Sequence, residues 1–455
     1  MAAWLVVLAA AGGCASFRLT SAGSEPKNVI VLIAGGAGAV HFELARLASV
    51  HLRNGQPFAT TDRVFRRGSV GVMTTHTRGG SSPDHAATAT AMSTGTKTGS
   101  GLVAMSPDGE RLAPVLQTAQ LAGKRIGIVT TAALSDAAIA PFAVHAAPRH
   151  DHAAIVDAYV RLEPDVLLGG GAEHFQPVGR RDGRDVVAEF ERRGYVPVRT
   201  SAELGRRAGD RLLGLFASRD LGHEIDRVAT SEPSLGEMME GALRILSRDP
   251  GEGFVLLVSS EATDSAAHAN DVAALIHDLW AFDRAVQVAL AFQARAPQDT
   301  LVIIAGTHET GGLTPTRAAR GAGDAGGTEP LQLLSRITIS FNRAAETLGP
   351  EPTESSIDAL MARHFPGFTL DPALRQAIRR QEPFDPAFPA PTQSALARMV
   401  ARQTGFFWAT PTHGAAPVVV GALGPGAELF RGWYDNTDFG RALHRIVRGP
   451  GRLSR

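Results

Sequence analysis

The chain reads as an α/β protein: a three-layer α/β/α sandwich around a central, mostly parallel sheet, with an inserted region. Three observations predict this. Short unbroken apolar runs recur along the chain, and several end in glycine-rich loops. Segments with helical spacing separate them. The composition is that of an ordinary globular protein, with 455 residues, zero formal net charge, 44% hydrophobic and 20% charged residues. Strands buried on both faces read as continuous apolar runs, and their alternation with helices implies a parallel sheet covered on both sides. No basic excess points to nucleic acid, and no polybasic tract marks an anionic membrane surface.

Residues 1–20 read as a targeting segment. Trp4 to Ala11 is a short apolar run followed by Gly12-Gly13-Cys14-Ala15-Ser16. It is too short to span a bilayer. Cys14 is the only cysteine, so no disulfide forms within the chain. The ending resembles a bacterial lipoprotein signal, in which the cysteine is lipidated after cleavage. The other reading is a plain secretory signal. Both imply export, and the first implies a periplasmic or outer-membrane lipoprotein anchored through Cys14.

Residues 27–447 form the domain. Lys27 to Ile33 reads as a buried strand that feeds the loop Ala34-Gly35-Gly36-Ala37-Gly38. Ala113 to Ala122 reads as a helix leading into a strand at Lys124 to Thr130. Asp165 to Gly171 is a strand and turn, and Gly253 to Val258 and Asp299 to Ala305 are further strands. Between those two, Val272 to Ala294 has apolar residues at helical spacing. Pro417 to Leu423 is the last strand of this kind. Residues 311–410 break the rhythm, with helical stretches at Ser356 to Phe365, Asp371 to Gln381 and Gln393 to Gln403. They read as an insertion on the main domain. In such sheets the working residues lie in loops at the carboxyl ends of the strands.

Residues 84–98 (Asp84-His85-Ala86-Ala87-Thr88-Ala89-Thr90-Ala91-Met92-Ser93-Thr94-Gly95-Thr96-Lys97-Thr98) resemble the active-site segment of alkaline phosphatases. Other blocks carry the same resemblance in order: Gly127 to Thr131 with Asp136, Val144 to Arg149, Leu167 to Ala172, and Asp264-Ser-Ala-Ala-His268-Ala-Asn-Asp271. Phe282 to Val286, His308 to Thr314, Ala422 to Phe430 and Tyr434 to Asp438 complete it. The chain is identified as a member of that family over roughly residues 27–310 and 405–447. The resemblance implies two zinc ions and one magnesium ion, a serine nucleophile and a phosphate-ester substrate. It also implies a homodimer.

Carried over residue by residue, the family pattern is only partly present. Asp264, His268 and His413 match the first zinc site. Asp264 and His268 stand four apart, so on a helical turn both face one side. Two imidazoles, a carboxylate and an open position are also what catalytic zinc takes. At the second zinc site the family's Asp is Gly35, its nucleophilic Ser is His85, and its Asp-His pair is Thr307-His308. Here two readings of His85 stand side by side. It shares an ion with His308, kept neutral by a helix N-terminus, or it fills a vacated pocket. At the magnesium site Asp136 remains, but its hydroxyl partner is Ala138 and the expected Glu is Ser259. Glu261 lies two residues on, roughly 6–7 Å away along an extended segment, so it is not expected to replace the missing carboxylate. Asp136 is then free to hydrogen-bond its own turn. One zinc site is expected and magnesium is not.

Arg149 matches the phosphate-binding arginine, whose planar fork suits an anion. Asp84 is expected to cap the helix and orient it. Ser81 and Ser82 precede Pro83, off the helix start, and are poor substitutes for the nucleophile. The favoured reading is a divergent or inactive member that binds a phosphate ester or another anionic small ligand. The alternative is an active one-zinc hydrolase that uses His85 as nucleophile or base.

Overall fold

A computed structural model describes residues 25–206, 209–229, 231–249, 251–316 and 328–449. Residues 1–20, read above as a targeting segment, and with them Cys14, lie outside the described residues. The strands are β1 (Asn28–Ala34), β2 (Ser69–Thr74), β3 (Arg125–Ala133), β4 (Val166–Gly170), β5 (Tyr195–Val198), β6 (Arg211–Leu215) and β7 (Phe254–Ser260). They continue with β8 (Thr300–Ala305), β9 (Glu309–Thr310), β10 (Thr314–Pro315), β11 (Phe406–Phe407), β12 (His413–Gly414), β13 (Val418–Leu423) and β14 (Gly432–Asp435).

Ten of these strands form one sheet in the order β14-β2-β13-β8-β1-β7-β3-β4-β6-β5. β1 pairs in parallel with β7 and β8, and β3 in parallel with β7 and β4. β13 runs antiparallel to both β8 and β2. This is the mostly parallel sheet that the apolar runs imply. The runs at residues 27–33, 124–130, 165–171, 253–258, 299–305 and 417–423 all fall on its strands.

The two faces of the sheet bury different side chains of the same strand. On β1, Ile30, Leu32 and Ala34 join one apolar cluster, while Val29, Val31 and Ile33 join the other. β7 divides likewise, with Leu256 and Val258 on one side and Val255 and Leu257 on the other. That alternation follows from the two-residue period of a strand. Each buried Val, Leu or Ile among them contributes about 1.5–3 kcal/mol.

Helices cover both faces. Ala39–Leu52, Leu235–Leu246 and Val272–Gln293 pack on the first, and His85–Thr94, Val115–Leu121, His152–Leu162 and Asn436–Arg448 on the second. Helices Phe341–Leu348, Glu354–His364, Pro372–Arg380 and Pro391–Thr404 lie within the 311–410 stretch and share the first cluster through Phe341, Ile357, Leu374 and Leu396. No helix among the described residues is long and apolar enough to cross a membrane.

One buried carboxylate ties the long Val272–Gln293 helix to the chain between the first two strands. Asp283 accepts hydrogen bonds from the Ala59 and Thr60 amides at 3.1 and 2.7 Å, from Thr60 Oγ1 at 2.8 Å and from Gln287 Nε2 at 3.0 Å. Burial pushes its carboxyl up, and these donors oppose that. Asp283→Ala strands two buried amides, so it should lower unfolding stability by about 3 kcal/mol. Denaturant unfolding measures this, and a loss below about 1 kcal/mol would show that Asp283 does not hold the contact.

Candidate metal centre

The strand order determines where the site forms. β8, β1, β7 and β3 are consecutive neighbours, and β1 is parallel to both strands beside it. Their carboxyl ends therefore open side by side. β1 delivers Gly35 and Gly36, β7 delivers Glu261, β8 delivers Thr307 and His308, and β3 leads to Asp136. The antiparallel β13 starts at this edge, so the chain just before it brings His413 here. A two-residue ladder fixes that approach, pairing His413 with Thr310 and Gly414 with Glu309. β2 leads through a loop to the His85–Thr94 helix, which presents His85 at its first position.

Asp264 and His268 lie on the Ala262–His268 helix. Asp264 Oδ2 is 3.1 Å from His268 Nε2, and His268 Nε2 is 3.1 Å from His413 Nε2. The far nitrogens of the two rings meet backbone carbonyls: His268 Nδ1 lies 2.6 Å from the Pro411 oxygen and His413 Nδ1 3.1 Å from the Pro83 oxygen. A carbonyl only accepts, so both Nδ1 atoms carry a proton, and each Nε2 is left for a metal or for a proton that His268 shares with Asp264 and His413. With the Asp264-bound proton displaced, the two lone pairs face each other at that distance and repel unless a metal cation draws on both. Ligands around a tetrahedral zinc with bonds of about 2.0–2.1 Å are separated by about 3.3 Å, and these separations fit. The structure thus brings together the three residues that the sequence assigned to one metal.

His85 and His308 join the same cluster. One ligand atom each from His85, Asp264, His308 and His413 can be chosen so that all lie within 4.8 Å of one another. The His85 ring centre is 4.3 Å from that of His308 and 5.2 Å from that of His413. His85 Nε2 is 3.5 Å from both Glu261 Oε2 and Asp264 Oδ2. His85 Nε2, His308 Nε2, Glu261 Oε2 and Thr307 Oγ1 are buried and make no hydrogen bond.

Glu261 departs from the sequence expectation. The separation of two residues counts as distance only along an extended segment, and the chain at Glu261 has turned to φ −84°, ψ −14° to start the helix. The Glu261 and Ala262 amides both bond Thr131 Oγ1, at 2.9 and 3.0 Å. The side chain folds back, and Ser259 Oγ donates to Glu261 Oε1. A Cβ placed on Gly35 would stand 2.4 Å from Glu261 Oε2. The Glu261 carboxylate therefore occupies the space beside Gly35 and does reach the cluster. Asp136 instead accepts from the Ala138 amide at 2.7 Å, bonding its own turn.

Two residues that sequence reasoning missed support Asp264. Gly36 has φ +66°, and a Cβ there would meet Asp264 Oδ1 at 2.2 Å, so glycine is required on both counts. Thr310 Oγ1 donates to Asp264 Oδ1 at 2.5 Å. Neither has a spacing signal, because both act across separate loops.

The electrostatics follow from burial. It pushes the Glu261 carboxyl up to about 7, against the pull of His85 and with Asp136 adding to the rise. Burial would also raise Asp264, but His85, the His268 bond and His308 outweigh it and hold Asp264 well below the usual range. His268 is disfavoured as a cation by burial, yet the Asp264 carboxylate lifts it to about 9. His308 is pushed well below its usual value by burial and by His85, and His413 is lowered chiefly by burial.

Arg149 lies at the rim. Its Nη1 donates to Asp84 Oδ2 at 3.0 Å, while Asp84 Oδ1 accepts from the Ala87 and Gly101 amides at 3.0 and 3.1 Å. Asp84 is both helix cap and holder of the guanidinium, as the sequence suggested. Ser81 and Ser82 are exposed on the preceding loop.

A second buried pair flanks the metal-facing helix. His223 Nδ1 lies 2.7 Å from Asp278 Oδ2, and His223 Nε2 lies 3.5 Å from Ser265 Oγ and 3.2 Å from Asn342 Nδ2. Burial disfavours the His223 cation, but Asp278 outweighs it and raises the ring to about 9. A value raised from 6.5 stabilises the fold fully below about pH 6.5, and that stabilisation is lost as pH rises through about 9. The stability difference between wild type and His223→Gln should therefore shrink by about 3 kcal/mol from pH 6 to pH 10. Unfolding measured at the two pH values tests this, and a difference independent of pH would refute the charged pair.

Comparison with known proteins places this geometry. The family model described as alkaline phosphatase matches residues 26–448. Alkaline phosphatase 4 of Bacillus subtilis is 29% identical over 437 residues, covering 93% of this chain and 89% of the relative. The crystal structure of Thermus thermophilus alkaline phosphatase superposes with a TM-score of 0.86 at 31% identity, covering 93% of this chain and 91% of that one. A cold-active alkaline phosphatase from a psychrophilic Shewanella gives a TM-score of 0.77 at 25% identity, covering 92% and 99%.

Proposed function

The chain belongs to the alkaline phosphatase family, and from that premise we propose that it is a divergent, metal-holding member. On this reading it recognises a phosphate ester but has lost the phosphoserine route. The observation that carries the proposal is the residue at the start of the His85–Thr94 helix. Where the family resemblance calls for a serine hydroxyl, a partly exposed imidazole turns Nε2 toward Glu261 and Asp264. The helix start offers Asp84, His85, Ala86 and Ala87, and none is a hydroxyl.

The family is metal-dependent, and the residues present fit zinc. Asp264, His268 and His413 would hold it, with the Pro411 and Pro83 carbonyls setting the tautomer of each ring. Bound zinc supplies Lewis-acid polarisation of an ester oxygen or a water. The chain's own contribution is to hold and orient. Arg149, fixed by Asp84, offers a charged fork to a phosphate at the rim. Thr310 and Gly36 hold the Asp264 carboxylate in one position. Asp136 bonds its own turn, and a magnesium site is not part of the proposal. Export is also proposed, supported by the signal-like residues 1–20.

Two measurements on the purified protein test the reading. Zinc-loaded protein should hydrolyse an aryl phosphate no faster than a chelator-stripped sample across pH 6–10. Inorganic phosphate should still bind, and Arg149→Ala should weaken that binding by about 10- to 100-fold, as expected for charge-assisted hydrogen bonds of about 1.5–3 kcal/mol. Zinc-dependent turnover that disappears in His85→Ala would overturn the proposal in favour of a hydrolase using His85.

A further inference from the structure

We propose that Ser265, His223 and Asp278 form a separate, metal-independent reactive centre, in which Ser265 takes the acyl group of a small neutral carboxylic ester. None of the three is a ligand of the metal centre, and the inference does not rest on the reading of that centre.

The arrangement joins a nucleophile, a base and an orienting carboxylate in line. Ser265 is exposed at the middle of the Ala262–His268 helix. A serine inside a helix commonly returns its hydroxyl to the carbonyl of the preceding turn. This one faces His223, with Oγ 3.5 Å from Nε2. The other ring nitrogen lies 2.7 Å from Asp278 Oδ2, and Asp278 Oδ1 accepts from the Glu224 amide at 2.8 Å. His223 is 8% exposed and Asp278 2%, so base and carboxylate are held inside while the serine meets solvent. A carboxylate only accepts, so Asp278 keeps a proton on Nδ1 and leaves Nε2 to receive another. The 3.5 Å separation is long, and catalytic hydrogen bonds of this kind often tighten only when substrate binds.

A fourth group completes the site. Gln393 Nε2 donates to Asn342 Oδ1 at 3.4 Å, which turns Asn342 Nδ2 toward the pair. That nitrogen lies 3.2 Å from His223 Nε2 and 3.3 Å from Ser265 Oγ. It is the donor placed to meet negative charge developing on an oxygen beside Ser265.

Charge selects the substrate. Asp278 and Asp271 face His223 from the long helix and its cap, and Asp226 from the segment of His223 itself. Ser265 and Asn342, on the other two elements, are neutral. These carboxylates repel a phosphate dianion but not a neutral ester. In the reaction Ser265 Oγ bonds the carbonyl carbon and its proton passes to His223 Nε2. The bond to the alcohol oxygen breaks, and His223 gives the proton to the departing alcohol. Water then attacks the acyl-serine and yields a proton to His223. The ring returns it to Oγ as the carboxylic acid leaves.

A neutral fluorophosphonate, which traps an activated serine with loss of fluoride, tests the site. The full-length protein is labelled between pH 7 and pH 10, zinc-loaded and chelator-stripped, and the adduct is located by peptide mass spectrometry. Ser265 should be labelled in both samples. Asp278 raises the His223 ring to about 9 against burial, so the base form gains with pH and the rate should rise about 100-fold over this range. His223→Gln should label at least about 100-fold more slowly with an unchanged circular dichroism spectrum. Asp278→Asn should move the rise to lower pH. Hydrolysis of an aryl acetate should be lost in Ser265→Ala. No adduct on Ser265, an adduct formed only with zinc, or a wild-type rate independent of pH would each overturn the proposal. The wild-type pH profile decides the matter even if His223→Gln does not fold.

Discussion

Asp264 is a buried carboxylate with three groups competing for it. Thr310 donates to one oxygen, while His268 and His85 both approach the other. Glycine at residue 36 is the only residue that leaves room for it. A buried charge of this kind is costly unless it is paired and hydrogen-bonded. Its neighbours supply that compensation, and the arrangement only works if the surrounding imidazoles are themselves oriented. The Pro411 and Pro83 carbonyls do this for His268 and His413, and Thr310 does it for His308. The centre is therefore a connected set of proton donors and acceptors whose free lone pairs converge.

The sheet makes that convergence possible. Four neighbouring strands open toward one edge, and each contributes at its carboxyl end. The antiparallel β13 adds His413 from a distant part of the sequence without a further crossover. The buried pair His223–Asp278 and the Asn342 amide meet the Ala262–His268 helix at Ser265. Bonds from Thr310 to Asp264, from His268 to the Pro411 carbonyl and from His223 to Ser265 hold this helix of seven residues in place.

Much of this was legible in the sequence because it depends on local rules. The long apolar runs mark the central strands, and the four-residue spacing of Asp264 and His268 marks a shared helical face. The outer strands were less visible. β5 is Tyr195-Val-Pro-Val198, an edge strand that tolerates proline, and β14 is Gly432-Trp-Tyr-Asp435, another edge with Trp433 exposed. Neither carries an unbroken apolar signal. The position of Glu261 is hidden from the sequence for a different reason. Counting residues assumes an extended chain, and here the backbone turns at the strand end and returns the carboxylate toward Gly35. The roles of Gly36 and Thr310 exist only after the segments following β1, β7 and β8 have met, so no local pattern announces them.

The central claim is that Asp264, His268 and His413 are a metal site and not a hydrogen-bonded triad. Anomalous diffraction at the zinc edge, on crystals grown with zinc, tests it most directly. The account predicts a zinc peak bonded to Asp264 Oδ2, His268 Nε2 and His413 Nε2, with both Nδ1 atoms still on the Pro411 and Pro83 carbonyls. Crystals with excess zinc and no anomalous density among those three residues would contradict it.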